Sequence, residues 1–144
     1  MLEIQTGPEA VDLDVVHRFL AEQSTWARGI PRATVERAVA HSLCFSARDE
    51  GRFVGFARVV TDHATYAWLC DVFVLEGLRG RGISSALMQA VCTHPSIQGL
   101  RRFTLATSTA PWLYDKYGFA PLAKPQIWME RYDPGVYQRQ TPPA

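Results

Sequence analysis

The stretch Leu69-Cys70-Asp71-Val72-Phe73-Val74-Leu75-Glu76-Gly77-Leu78-Arg79-Gly80-Arg81-Gly82-Ile83-Ser84-Ser85-Ala86-Leu87-Met88-Gln89-Ala90 passes from an apolar, β-prone run through a turn rich in glycine and arginine into helical spacing. That order builds an anion cradle. A strand ends, glycines let the backbone approach a bulky phosphate, and a helix start offers unpaired N–H groups and the positive end of its dipole. Gly80 and Gly82 open conformations that side chains disfavour. Arg79 and Arg81 add charge where a pyrophosphate would lie. The turn is not a P-loop, because G-x-x-x-x-G-K-[ST] is absent. It is not a dinucleotide-binding turn either, because Ser85 stands where G-x-G-x-x-G needs its third glycine. Glycine-rich strand–helix turns are also built for purely structural ends, so the turn alone leaves phosphate binding open.

The elements around it follow from periodicity. On the N-terminal side, Leu2 to Gln5 predicts a short strand. Glu9 to Gln23 predicts a helix carrying Val11, Val15, Val16, Phe19 and Leu20 at helical spacing, and Pro31 opens a second helix with Val35, Ala38 and Val39 on one face. Leu43 to Arg48 and Phe53 to Val60, separated by Asp49-Glu50-Gly51-Arg52, predict a hairpin. Thr65 to Val74 is apolar on both faces, as in the middle of a covered sheet. On the C-terminal side, Gly82 to Thr93 predicts a helix stopped before Pro95, Arg102 to Thr107 a strand, and Ala110 to Tyr117 a short helix capped by Gly118. Phe119 to Leu122 and Ile127 to Tyr132 are expected to close the sheet, and 134–144 to be a flexible tail. The order β-α-α-β-β-β-α-β-α-β-β argues for one α/β (α+β) domain, a mixed sheet with helices packed on it.

Composition excludes several classes. The chain has 144 residues, 47% hydrophobic and 20% charged, enough to bury a core without metal or disulfide staples. A formal net charge of +1 gives no basic stripe for nucleic acid. No apolar run approaches the roughly 20 residues of a membrane span, and the start shows no secretory signal, so the cytoplasm is the expected location. Cys44, Cys70 and Cys92 are an odd set in apolar surroundings and read as reduced, buried thiols. The four scattered histidines suggest no metal site. Cys70 as a nucleophile would need an activating base that no nearby histidine provides.

The turn resembles the GCN5-related N-acetyltransferase (GNAT) pattern [Arg/Gln]-x-x-Gly-x-[Gly/Ala]: Arg79 and Gly82 match, and Ser84 stands where Gly or Ala is usual. Downstream, Thr107-Ser108-Thr109-Ala110-Pro111-Trp112-Leu113-Tyr114-Asp115-Lys116-Tyr117-Gly118-Phe119 is similar to the family's second signature, a Tyr four residues before Gly-Phe, with Thr107 where many members have Asn. Two ordered motifs are more specific than either alone. In element order the resemblance covers roughly Leu43 to Tyr132. It implies a single GNAT-like domain over 1–133 with a central mixed, mostly antiparallel sheet of six to seven strands flanked by about four helices. It further implies transfer of acetyl from acetyl-coenzyme A directly to an amine of a small molecule or peptide. The alternatives are a non-catalytic acyl-coenzyme A binding or sensing module on the same fold, or an interaction domain whose turn is structural.

The resemblance also implies roles. Val72, Phe73 and Val74 would line the pantetheine arm, with the Val72 amide aimed at the thioester oxygen. Arg79, Gly80, Arg81, Gly82, Ile83, Ser84 and Ser85 would hold the pyrophosphate, with Thr107 and Tyr117 as further cofactor contacts. Tyr114 matches the usual general acid, and the structural alternative for it is a core aromatic. Asp71 would accept the amine's proton or bind a cationic acceptor, unless it is a buried structural carboxylate and water carries the proton. Trp26, Arg28 and Arg32 in and beside the loop between the first two helices, together with Asp71 and Trp112, are the acceptor-site candidates. Homodimer formation through sheet edges or helices is open to such a fold.

Overall fold

A computed structural model of the chain describes residues 1–140. Five strands form one sheet: β1 (Leu2–Thr6), β2 (Leu43–Asp49), β3 (Arg52–Thr61), β4 (Tyr66–Val74) and β5 (Arg102–Leu105), in the spatial order β1-β2-β3-β4-β5. Neighbours from β1 to β4 are antiparallel and β5 is parallel to β4, so the sheet is mixed and mostly antiparallel as expected.

Alternation along the strands divides two cores. One face buries Phe45, Ala47, Val54, Ala57, Leu69 and Val74 against Ile83, Leu87, Met88 and Val91 of helix α3 (Ile83–Thr93). Helix and sheet approach closely at Gly55, where a Cβ would stand 3.0 Å from Ile83 Cγ2 and 3.2 Å from Leu87 Cδ1. The other face buries Cys44, Phe53, Phe56 and Phe73 against Val16, Phe19, Leu20, Val35 and Val39. Those residues come from helix α1 (Leu13–Arg18), a π-type turn over Phe19–Gln23, and helix α2 (Arg32–Ala40). The single helix expected over Glu9–Gln23 is therefore in three pieces. Pro8–Ala10 forms a 3-10 turn, and Asp12 caps α1 by accepting from the Val15 amide at 3.2 Å.

The sheet has fewer strands than expected. Phe119–Leu122 and Ile127–Tyr132 join no ladder among the described residues. Pro121 and Pro125 lack the N–H a ladder needs, and every residue from Ala120 to Pro134 is exposed. Helix α4 (Pro111–Asp115) precedes this segment and helix α5 (Val136–Gln140) follows it. Helix α5 falls inside the span read from sequence as a tail, and residues 141–144 of that span lie outside the described residues.

Candidate active site

Strands β4 and β5 pair only from Tyr66↔Arg102 to Leu69↔Leu105, while β4 continues to Val74. Beyond Leu69 the two strands no longer share hydrogen bonds, which opens a wedge at the C-terminal half of β4. The ladder with β3 is irregular at the same level. Phe56 opposes Phe73 and Arg58 opposes Cys70, so Asp71 and Val72 together face Ala57 alone. This is a β-bulge, and Asp71 takes the left-handed conformation within it, with φ 51.

The bulge gathers a polar cluster. Asp71 Oδ2 accepts from Arg58 Nε at 2.8 Å, with the two side chains only 10% and 15% exposed. Asp71 Oδ1 accepts from Trp26 Nε1 at 2.8 Å. Arg58 Nη1 donates to Ser42 Oγ at 3.0 Å. Trp26 is held from its own side, because buried Ser24 donates to the Leu20 carbonyl at 2.6 Å and accepts from the Ala27 amide at 3.0 Å. A cavity of about 50 Å³ lies above the pair, lined by Val16, Leu20, Ile30, Val35, Phe56, Arg58, Asp71 and Tyr137. Helix α5 supplies Tyr137 and is tied to the loop by Gln138 Nε2 donating to the Arg28 carbonyl at 3.0 Å.

Of the acceptor-site candidates, then, Trp26 and Asp71 meet. Arg28 borders the same loop, its guanidinium donating to the Glu22 carbonyl at 3.2 Å. Arg32 is turned to Asp14 and Glu36 on the exposed side of the helices. Trp112 is 64% exposed on α4, under the Lys116 ammonium, and is not part of the cavity wall. Arg58 and Tyr137 were not singled out from sequence. Arg58 had a signal, a lone charge inside the apolar run Phe53–Val60. Tyr137 had none, since only packing brings α5 to this site.

On the other side of the wedge, Gly82 caps α3 with φ 80 and no side-chain bond, and Gly80 has φ 81. A Cβ at either glycine would meet nothing within 4 Å. Arg79 and Arg81 are exposed beside them. Four features converge there: an open glycine turn, an uncapped helix start on an eleven-residue helix, two exposed guanidiniums and a β4 edge at Val72–Val74 that β5 does not pair. They fit a long ligand carrying a pyrophosphate at one end and amides along its length. Phe73 and Ile83 themselves are core, with Phe73 stacked on Phe19 at 3.9 Å between ring centroids, so only their backbone faces the wedge.

Helix α4 presents Tyr114, which is half-buried and edge-on to Phe119 at 6.2 Å. Burial raises the Tyr114 phenol above its ordinary value, so it carries its proton throughout the neutral range. Tyr117 reaches the Ser85 carbonyl at 3.4 Å, linking α4 to the first turn of α3. Thr107 is committed locally, its hydroxyl accepting from the Ala110 amide at 3.1 Å. The thiols carry no charge in this setting: burial pushes both Cys44 and Cys70 up to about 12. Among the described residues no group of His, Cys, Asp or Glu is arranged to hold a metal ion, and no helix is long and apolar enough to cross a membrane.

A sheet splayed beside a glycine–arginine turn defines a class, and sequence comparison agrees. Residues 40–121 match the acetyltransferase (GNAT) domain model, and the chain belongs to that family of N-acetyltransferases. The crystal structure of a GNAT-family acetyltransferase from Xanthomonas campestris pv. campestris is 53% identical over 95% of this chain and 96% of that one, with a TM-score of 0.93. A GNAT-family protein of Streptococcus pneumoniae is 28% identical over 92% of this chain and all of its own, with a TM-score of 0.69. A Gibberella zeae protein named as an acetyltransferase is 25% identical over 78% of this chain and 75% of its length.

Proposed function

We propose that the chain transfers acetyl from acetyl-coenzyme A directly to an amine bound over the Arg58–Asp71 pair, with both substrates present together. Acetyl-coenzyme A, when bound, supplies an acetyl group activated as a thioester. The observation that carries the proposal is the wedge where β4 parts from β5, followed in the chain by the glycine–arginine turn and the uncapped start of α3, with a cavity over Asp71. A Clostridium acetobutylicum acetyltransferase solved with acetyl-coenzyme A shares this fold, with a TM-score of 0.65.

In this reading the amides of 82–85, with Arg79 and Arg81, hold the pyrophosphate. The Val72 amide offers a hydrogen bond to the oxygen that gains charge in the transition state. Tyr114 gives its proton to the departing sulfur, a role its raised pKa suits. Tyr117 packs between α4 and α3 at the donor's edge. Both carboxylate oxygens of Asp71 are already engaged by Arg58 and Trp26. That favours water, rather than Asp71 directly, as the carrier of the amine's proton, with Asp71 fixing the Trp26 indole at the acceptor entrance. The three free cysteines fit a reducing compartment such as the cytoplasm. The open edge of β5 offers a surface through which two copies would pair.

Two measurements test this. Acetyl-coenzyme A at saturation should raise Tm by mass action. A panel of small amines and peptide N-termini should then yield acceptor-dependent thiol release. A Tm shift without release for any acceptor would leave a binding module, and no Tm shift would remove the donor site altogether.

A further inference from the structure

The cavity over Asp71 owes part of its wall to the C-terminal helix. Helix α5 follows 129–134, a stretch exposed throughout, and is tied to the acceptor loop by the bond from Gln138 Nε2 to the Arg28 carbonyl at 3.0 Å. Tyr137 is the residue of α5 that lines the cavity, half-buried against the core formed by Val16, Phe19, Val35 and Val39. Ala38, from α2, lines it as well.

Two properties of this cavity select what can enter. The first is size. An apolar cavity of about 150 Å³ takes benzene, so one of about 50 Å³ has room for roughly two or three carbons. The second is charge. The two ionised side chains of the lining, Arg58 and Asp71, neutralise each other at 2.8 Å. Burial raises the Tyr137 phenol above its ordinary value and the Asp71 carboxylate adds to the rise, so the ring is uncharged at neutral pH. Thr34 is the one other polar residue of the lining. A charged group that entered would lose its water and find no unpaired counter-ion there.

We propose, resting on the reading of this cavity as the acceptor site, that the acceptor is a primary amine with a short uncharged tail, its nitrogen at the wedge and its tail in the cavity, and that Tyr137 limits the tail's length. Each methylene that enters exchanges water for apolar wall, which favours a tail that fills the space. A longer tail overruns it and meets the ring, and a charged tail loses its hydration without compensation.

The test uses the full chain, with thiol release from acetyl-coenzyme A in the presence of ethylamine, propylamine, hexylamine or 1,3-diaminopropane. In the wild type, kcat/KM for propylamine should exceed that for hexylamine and for 1,3-diaminopropane at least about tenfold. Tyr137→Ala removes the ring and should raise the hexylamine-to-propylamine ratio at least about tenfold. Ala38→Leu fills the cavity from α2 and should raise the ethylamine-to-propylamine ratio by about the same factor. Both variants should keep the Tm shift with acetyl-coenzyme A, since neither residue lies in the glycine–arginine turn. A wild type indifferent to tail length or charge, or wild-type preferences in either variant, would overturn the proposal and leave amine acetylation standing. Inactivity towards all four amines with the Tm shift intact would overturn the short-tail assignment, whereas no Tm shift would remove the donor site on which it rests.

Discussion

Asp71 meets Arg58 at 2.8 Å only because the β4 bulge puts it in a left-handed conformation, and the same carboxylate holds the Trp26 indole. A side chain with φ 51 on a non-glycine residue is strained, and the two hydrogen bonds to its carboxylate offset that strain. Arg58→Met leaves the carboxylate buried and without its cation. It should lower unfolding stability by about 3 kcal/mol, measured by urea titration. Asp71→Asn should lower kcat/KM by loosening Trp26, yet leave the basic-going limb of the pH–rate profile in place. Loss of that limb would return Asp71 to the role of direct base.

The general-acid role proposed for Tyr114 is open to a single-atom change. Tyr114→Phe should reduce kcat by about 100-fold, at the low end for general acid catalysis, while the Tm shift with acetyl-coenzyme A is retained. The sign of its pH effect follows from burial. The folded pKa lies above the ordinary value near 10, so the proton is present at neutral pH and is lost only above that value. The wild-type rate should therefore show no alkaline decline from Tyr114 below about pH 10. An unchanged kcat in Tyr114→Phe would place the ring in the core alone.

Gly82 separates backbone conformation from space. Nothing lies within 4 Å of the position a Cβ would take, but φ is 80. Gly82→Ala should thus cost about 1–2 kcal/mol from strain alone. It should also reduce the Tm shift with acetyl-coenzyme A, because relaxing the turn re-aims the amides that start α3. Retention of the full shift would show that the turn is not part of the donor site.

Cys70 lies beside Asp71 in β4 and is pushed up to about 12 by burial, so almost no thiolate exists at neutral pH. Cys70→Ala should keep kcat within about twofold, and maleimide should modify Cys70 slowly in the native protein. A loss of activity that stability does not explain would argue for a covalent route.

What the sequence determined by itself was local. The glycine–arginine turn, the helix behind it and the Tyr114–Gly118–Phe119 spacing are short-range patterns, each set by neighbouring residues through backbone freedom, helix starts and periodicity. Together with strand periodicity elsewhere in the chain, they were enough for the family and the first five strands. The tertiary structure decided what depends on distant residues. Arg58 and Asp71 are thirteen apart in sequence and meet across a bulge that no spacing announces. Trp26 reaches that carboxylate from 45 residues away, and Tyr137 joins the cavity only because α5 packs there. The last two strands failed for the same reason. Phe119–Leu122 and Ile127–Tyr132 have strand composition, but a strand exists only where a partner backbone completes its ladder, and the described residues supply none.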